Sequence, residues 1–389
     1  MYHLIDFITK QRVHPVNLIF TGENSPWEVC IDLTATKNKI NLTEYKTQTP
    51  HLTKYLPFLP FARPSSLLKW QENPTPLVKS SYFGPRLGIE LYFKIEGKNP
   101  TGSFKDRGSA IEMTLAKQHH AKKVVVASTG NMAASCACYA ALAELPCQVF
   151  VPSGLPPAKL AQVQAFGAKI TEVAGDYNDA AKQAKETAEK NHFYLAGDYA
   201  FRVEGQKIAL FELLDQLHFH VPDQILIPMG CGTNIAAYYK GLHEYHALHL
   251  ITRYPQLIGI QAKGANPIVR SVRHHAYTIK PQQNAHTLAS AIAVGNPVDG
   301  LKALQAIYQT AGLALDVTDK MILKAHHLLA QHEGLFVESA SAAVVAGLLK
   351  LSQHQQLKKK VVCILTGDGL KDANITHNSS EGVAPNCRW

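Results

Sequence analysis

A chain of 389 residues is long enough for about two domains and a substantial buried core. With 46% hydrophobic and 18% charged residues and no long apolar run, it reads as a soluble, unexported, cytoplasmic protein that has no membrane partner. Its formal charge of +9 comes from scattered Lys and Arg, which excludes a recognisable nucleic-acid-binding module and leaves a moderate positive field suited to a small anionic substrate.

Residues 1–70 show no regular alternation and are punctuated by Pro and Asn, so they are expected to form an N-terminal extension that belongs to, or packs on, a larger domain. The stretch KNPTGSFKDRGS, Lys98 to Ser109, then places Lys105 between Thr-Gly-Ser-Phe and Asp-Arg-Gly, where a helix is about to begin. From about residue 120, β-branched runs alternate with helical periodicity. KKVVVAST leads to NMAASCACYAALAEL, PCQVFVPS to PAKLAQVQAFG, AKITEVA to DYNDAAKQAKETAEK, and HFYLAG to RVEGQKIALFELLDQL. The pattern resumes with DQILIPMG, NIAAYYKGLHEY and QLIGIQA, and ends on KKVVCILTG. Strands alternating with crossover helices predict an α/β, doubly wound fold with mostly parallel sheets covered on both faces. Seven cysteines, an odd number without a C-x-x-C pair, argue against a disulfide framework and a zinc ribbon.

Sheets of this kind bind ligands at the carboxyl ends of their strands. Three such loops are rich in small and hydroxyl residues: STGN (128–131), MGCGTN (229–234) and LTGDG (365–369). In the second, Gly230, Cys231, Gly232, Thr233 and Asn234 end a strand and open a helix. Glycines let backbone N–H groups approach an anion, the helix start adds partial positive charge, and Thr233 and Asn234 supply donors. The stretch suits a phosphate, or equally a tight turn without a ligand. It lacks the P-loop lysine, and Ile235 stands at the third glycine position of G-x-G-x-x-G. In STGN, Asn131 would cap the next helix, or the N–H groups of Thr129, Gly130 and Asn131 would hold a carboxylate. An isolated lysine is ordinarily a solvated charge. Beside anion-binding loops, Lys105 has the surroundings needed for a Schiff base with pyridoxal phosphate.

IEGKNPTGSFKDRG resembles the cofactor-lysine segment of the threonine synthase family, pyridoxal 5'-phosphate enzymes of the tryptophan-synthase-β-like fold. STGN, MGCGTN with AAYYKG, RVEGQK, AIAVGNP, ESASAAVVAGLLK and LTGDGLKD resemble further family segments, over about residues 70–375. The resemblance implies a large cofactor-binding domain, 71–105 with 206–389, a smaller mobile domain, 106–205, and a homodimer. It implies that Lys105 carries the cofactor and acts as catalytic base, that Asn131 faces the phenolic oxygen, and that Gly230 to Asn234 hold the phosphate. Thr366 would face the pyridine nitrogen. Ser128, Thr129 and the backbone around Asn131 would hold the substrate carboxylate, and Arg202 the substrate phosphate. A hydroxyl such as that of Thr366 cannot stabilise a pyridinium by charge, which suits elimination and replacement at the β or γ carbon. The implied reaction converts O-phosphohomoserine and water to threonine and phosphate. The alternative is a β-elimination or β-replacement on O-phosphoserine, serine or threonine, as in cysteate-synthase-like enzymes or ammonia-lyases.

Several positions depart from the family pattern. Ala196-Gly197 replaces Asn-Ser, and Ala293 replaces the arginine of A-I-R-I-G-N-P. A charge-assisted phosphate contact is worth about 1.5–3 kcal/mol, so one lost contact weakens binding by roughly one to two orders of magnitude unless Arg202, Lys159 or Lys207 substitutes. Ser339 replaces proline, Thr233 replaces glycine, and Asp368 stands where His or Asn is usual and is expected to accept a hydrogen bond from its turn. His243-Glu244-Tyr245-His246 misses H-E-x-x-H by one residue, so an exposed helix face without metal is expected. The pairs His119-His120, His274-His275 and His326-His327 read as solvated ends, and Lys358 to Lys360 as a solvated strand entrance.

Overall fold

The computed structural model describes residues 2–15, 17–22, 25–60, 74–155 and 157–375. In chain order the strands are β1 Tyr2–Asp6, β2 Arg12–Val13, β3 Trp27–Ile31, β4 Leu77–Lys79, β5 Glu90–Ile95, β6 Val124–Ala127, β7 Cys147–Pro152, β8 Lys169–Val173, β9 Tyr194–Ala196, β10 Gln224–Pro228, β11 Gln256–Ala262, β12 Leu313–Val317 and β13 Lys360–Leu365. They segregate into a six-stranded sheet, order β12-β11-β10-β13-β5-β4, and a four-stranded sheet, order β8-β7-β6-β9. Every neighbouring pair in these two sheets is parallel except β4 with β5. Helices cover both faces of the central strands, which is why QILIP of β10 is buried at every position and shows no alternation.

The N-terminal residues build more than an extension. β2-β1-β3 form an antiparallel sheet, and Tyr2 sets its ring edge-on to Phe201 at 5.6 Å. Lys302 Nζ donates to the Trp27 carbonyl at 2.8 Å, and Lys240 to that of Val29. The single helix expected over RVEGQKIALFELLDQL is two, Ala200–Gln206 and Ile208–Gln216. At the join Leu210 N–H bonds the Lys207 carbonyl three residues back, at 3.0 Å, tightening the turn. The Lys207 ammonium meanwhile points inward to Glu204 at 2.6 Å and Glu244 at 2.8 Å.

His243, His246 and His249 are exposed, as are His119, His120, His274, His275, Lys358 and Lys359. His326 corrects the expectation of a solvated pair. It lies inside the helix Asp319–Glu333, 3% exposed and edge-on to Phe336 at 5.4 Å, because it falls on the helix face turned toward the core. Burial pushes its imidazole below the ordinary histidine range. Among the described residues no helix is long and apolar enough to cross a membrane, and no cluster of His, Cys, Asp or Glu forms a metal site. The six described cysteines are free.

Two motif words distant in sequence pack on each other. The helix Lys105–Gln118 crosses Ala200–Gln206, with Gly205 against the Arg107 carbonyl and Gly108 against the Arg202 side chain. A methyl group on Gly205 would overlap the Arg107 carbonyl, a backbone group that cannot rotate aside. Gly205→Ala is therefore expected to cost about 1–3 kcal/mol of stability, read from the urea midpoint, and to reduce cofactor occupancy because the strain falls two residues from Lys105. An unchanged midpoint would show that the two helices can separate freely.

Candidate active site

The segments that follow the carboxyl ends of β5, β6, β9 and β13 are brought together by hydrogen bonds, and the chain passes among them from Thr101 to Lys105. Phe104 N–H donates to the Thr366 carbonyl at 2.9 Å, Asp368 N–H to Gly102 at 2.9 Å, and Glu338 N–H to Gly367 at 3.0 Å. These bonds stitch the lysine segment to the loop after β13. Asp106 then closes the turn backwards, its carboxylate accepting from Thr101 N–H at 2.7 Å and Thr101 Oγ1 at 2.6 Å. Arg107 points away from the cleft into a buried pair of carboxylates, donating through Nε to Glu96 at 2.6 Å and through both terminal nitrogens to Glu212 at 2.8 and 2.6 Å. Asp106 and Arg107 thus anchor the first turn of the helix, leaving Lys105 free to project.

Lys105 Nζ meets both oxygens of Asp198, at 2.9 and 3.3 Å, across from the end of β9. Burial alone would raise the Asp198 carboxyl, but Lys105 and Arg202 outweigh it, and the group lies below the ordinary carboxylate range. Burial and the neighbouring Asp198 carboxylate push the ionisation of the Cys231 thiol up. Cys231 belongs to the loop that opens the helix Thr233–Ala247, where Gly232 takes φ +88°, a left-handed conformation that glycine adopts without strain. At that helix start Asn234 Nδ2 is buried without an acceptor, and so is the Ser103 hydroxyl beside the loop after β13. Buried orphan donors on both sides of Lys105, with a helix N-terminus, fit a phosphate-bearing aldehyde cofactor. The AIAVGNP segment lies against this loop, with the Ala291 carbonyl and Val294 close to Gly230.

On the opposite wall, Asn131 Nδ2 donates to both oxygens of Glu338, at 3.0 and 2.9 Å. Asn131 does not cap the helix Asn131–Leu142. The cap position is Gly130, and the Ser128 hydroxyl accepts from Gly130 and Ala133 N–H at 3.3 Å each. Ser128, Thr129 and Asn131 all remain partly accessible at this helix start. The Thr366 hydroxyl is buried, 3.2 Å from Ser341 Oγ, which in turn accepts from Gly367 N–H at 2.9 Å. Asp368 accepts from Leu370 N–H at 3.0 Å, the turn role expected of it. Ser339 N–H and hydroxyl both donate to Asp372, at 2.9 and 2.5 Å, contacts a proline could not make.

A family model described as pyridoxal-phosphate dependent enzyme matches residues 69–367. A threonine synthase from Methanocaldococcus jannaschii is 42% identical over 359 residues, covering 91% of this chain and 89% of that protein. One from Halalkalibacterium halodurans is 40% identical, covering 86% and 94%. The chain belongs to the threonine synthase family of pyridoxal-phosphate dependent enzymes. Its fold is shared by the processed form of threonine deaminase isoform 2 from Solanum lycopersicum, with a TM-score of 0.69 at 23% identity, covering 79% and 84% of the two chains. Maize serine racemase has a TM-score of 0.67 at 22% identity, covering 78% and 92%.

Neither Arg202, expected to hold the substrate phosphate, nor Lys207, named as a possible substitute, has an exposed side chain. Arg202 is fully buried behind Lys105, and its guanidinium is committed to Glu112, Ser109, the Gly197 carbonyl at 2.9 Å and the Lys105 carbonyl at 3.1 Å. Lys207 is fully buried between Glu204 and Glu244. Arg202 lies on the inward face of its helix and Lys207 at the buried join between two helices, where an unpaired charge would be prohibitively costly, so the neighbouring carboxylates claim them. The Lys159 side chain lies outside the described residues.

Sequence reasoning missed Asp198 and Glu338. Asp198 carried one faint signal, a carboxylate just after a strand end. Glu338 is buried and pushed up to about 7 by burial, with Asp372 adding to the rise. A carboxyl raised above its ordinary value binds more proton in the folded than in the unfolded chain, so the stability it contributes is lost as pH rises from about 4.3 toward 7. Glu338→Gln keeps an acceptor for Asn131 and cannot ionise. Its unfolding free energy is expected to fall less between pH 5 and pH 7.5 than that of the parent, a difference read from urea titrations at the two pH values. Parallel pH slopes would place the titration elsewhere.

Proposed function

We propose that this chain carries out the reaction of its family, γ-elimination of phosphate from O-phosphohomoserine and water addition at the β carbon to give threonine, at the cleft around Lys105. The observation that carries the reading is the convergence of Lys105, the Gly230 to Asn234 helix start and Thr366 at one set of strand ends. Lys105 would carry the cofactor, Gly230 to Asn234 its phosphate, Asn131 its phenolic oxygen and Thr366 its ring nitrogen. Pyridoxal phosphate, when bound, supplies the electron sink that acidifies the α and β protons.

The remaining work belongs to the chain. Lys105 Nζ takes protons from Cα and then Cβ and returns them. Asp106 and Arg107 hold its backbone, and Arg202 braces it from behind. Ser128, Thr129 and the N–H groups at the start of Asn131–Leu142 receive the substrate carboxylate. The segregation of strands into two sheets supports a large unit, 71–105 with 206–389, and a smaller one, 106–205, whose closure excludes water until it is needed. We include in the proposal a cytoplasmic enzyme that assembles as a homodimer.

The commitment of Arg202 and Lys207 to buried carboxylates, with Ala293 beside the phosphate loop, favours a second reading in which O-phosphoserine, serine or threonine reacts at the β carbon. Steady-state phosphate release with product analysis separates the two. Threonine with stoichiometric phosphate from O-phosphohomoserine is expected. Turnover of O-phosphoserine alone would move the substrate assignment and leave the cofactor chemistry intact.

A further inference from the structure

We propose that Asp198 is the counter-ion of the Lys105 nitrogen and keeps that nitrogen positively charged once the cofactor is attached to it. The inference rests on the reading of Lys105 as the cofactor lysine. Both carboxylate oxygens lie within 3.3 Å of Nζ, and the two side chains are 8% and 16% exposed, so water screens the pair weakly. The geometry is held by more than the charges themselves. Arg202 bonds the Gly197 carbonyl next to Asp198 and the Lys105 carbonyl, fixing both backbones relative to each other.

Other anions near the pair are otherwise engaged. Glu112 on the lysine helix is matched by Arg202, Asp299 by Lys302 at 2.8 Å, and Glu338 accepts from Asn131. The Tyr177 phenol, exposed and donating to the Ala127 carbonyl at 3.3 Å, is neutral at working pH. Asp198 is thus the carboxylate in hydrogen-bond contact with Nζ among the described residues. An opposite charge in direct contact favours the charged form of its partner. Thr366 offers no charge at the ring nitrogen, so Asp198 sets the site's negative charge at the lysine end of the cofactor.

The test uses the full chain loaded with pyridoxal phosphate. The visible absorbance of the cofactor-linked lysine is titrated against pH, and the position of attachment is read by borohydride reduction and mass spectrometry. In Asp198→Asn the midpoint is expected to fall by at least about one pH unit, tenfold in the proton dissociation constant, with the adduct still on Lys105. Asp198→Glu is expected to restore most of the shift. An unchanged midpoint in Asp198→Asn, or an equal fall in Asp198→Glu, would overturn the counter-ion role while leaving the cofactor reading standing. Absence of an adduct on Lys105 in the parent protein would overturn both. If circular dichroism shows that Asp198→Asn does not fold, Asp198→Ser is read by the same criterion.

Discussion

Lys105→Ala is expected to lower kcat for phosphate release by at least about a thousandfold, because one nitrogen both tethers the cofactor and moves the substrate protons, and proton transfer alone is typically worth 10²–10⁴. The fold should survive. The lysine side chain reaches from the first turn of a helix whose anchors are its neighbours Asp106 and Arg107, and Asp198 keeps Arg202 nearby after the ammonium is gone. Borohydride reduction of the parent should leave a pyridoxyl adduct on Lys105 and none in the variant. Phosphate release by Lys105→Ala at the parent's rate would make Lys105 an ordinary cleft cation. Exogenous amines are expected to recover part of the lost rate, since the missing group is a base at a defined place and the surrounding walls are intact.

Arg107→Ala is expected to be the most destabilising single change in the lysine segment. The guanidinium is 4% exposed and satisfies Glu96 and Glu212, while Thr75 bridges both acids and Lys94 reaches only Glu212, at 3.0 Å. Removing one partner of a buried ionic network leaves uncompensated charge and typically costs 3–5 kcal/mol, a large share of the 5–15 kcal/mol that stabilises an ordinary domain. Arg107→Lys should recover only part of this, because an ammonium cannot make the bidentate contacts to two carboxylates.

The acid side of the stability profile should change as well. Burial raises Glu96, but Arg107 overcomes it and holds the carboxyl at about 2, with Glu212 lowered by the same neighbour. Depressed carboxyls contribute stability that is present above their ordinary range and lost as pH falls toward their folded values. Without Arg107 that protection goes, and acid unfolding is expected at higher pH than in the parent. Circular dichroism followed from pH 7 to pH 2 checks it, and coincident curves would show that the network contributes nothing to acid resistance.

Local chemistry determined a good deal from sequence alone. Strand and helix periods of about 2 and 3.6 residues are properties of neighbouring side chains, so the alternation from β6 onward and the parallel, doubly wound sheets were legible. So were the small-residue loops at the strand ends and the lysine among them, because glycine and hydroxyl residues at a strand-to-helix junction have a local meaning. Only the tertiary structure decided which charges meet. Lys105 and Asp198 are 93 residues apart, and Asn131 and Glu338 are 207 apart. Nothing in a local window marks such partners. Arg202 and Lys207 carry cationic side chains in a motif that reads as ligand-binding, yet helix phase turns the first inward and a break between two helices buries the second, where burial makes a carboxylate partner obligatory and removes both from the cleft. Only packing makes Gly108 and Gly205 the point where two backbones touch. His326 likewise turned inward by helix phase, which the doublet His326-His327 conceals because neighbouring helix positions differ by about 100° in direction and only the first falls on the core face.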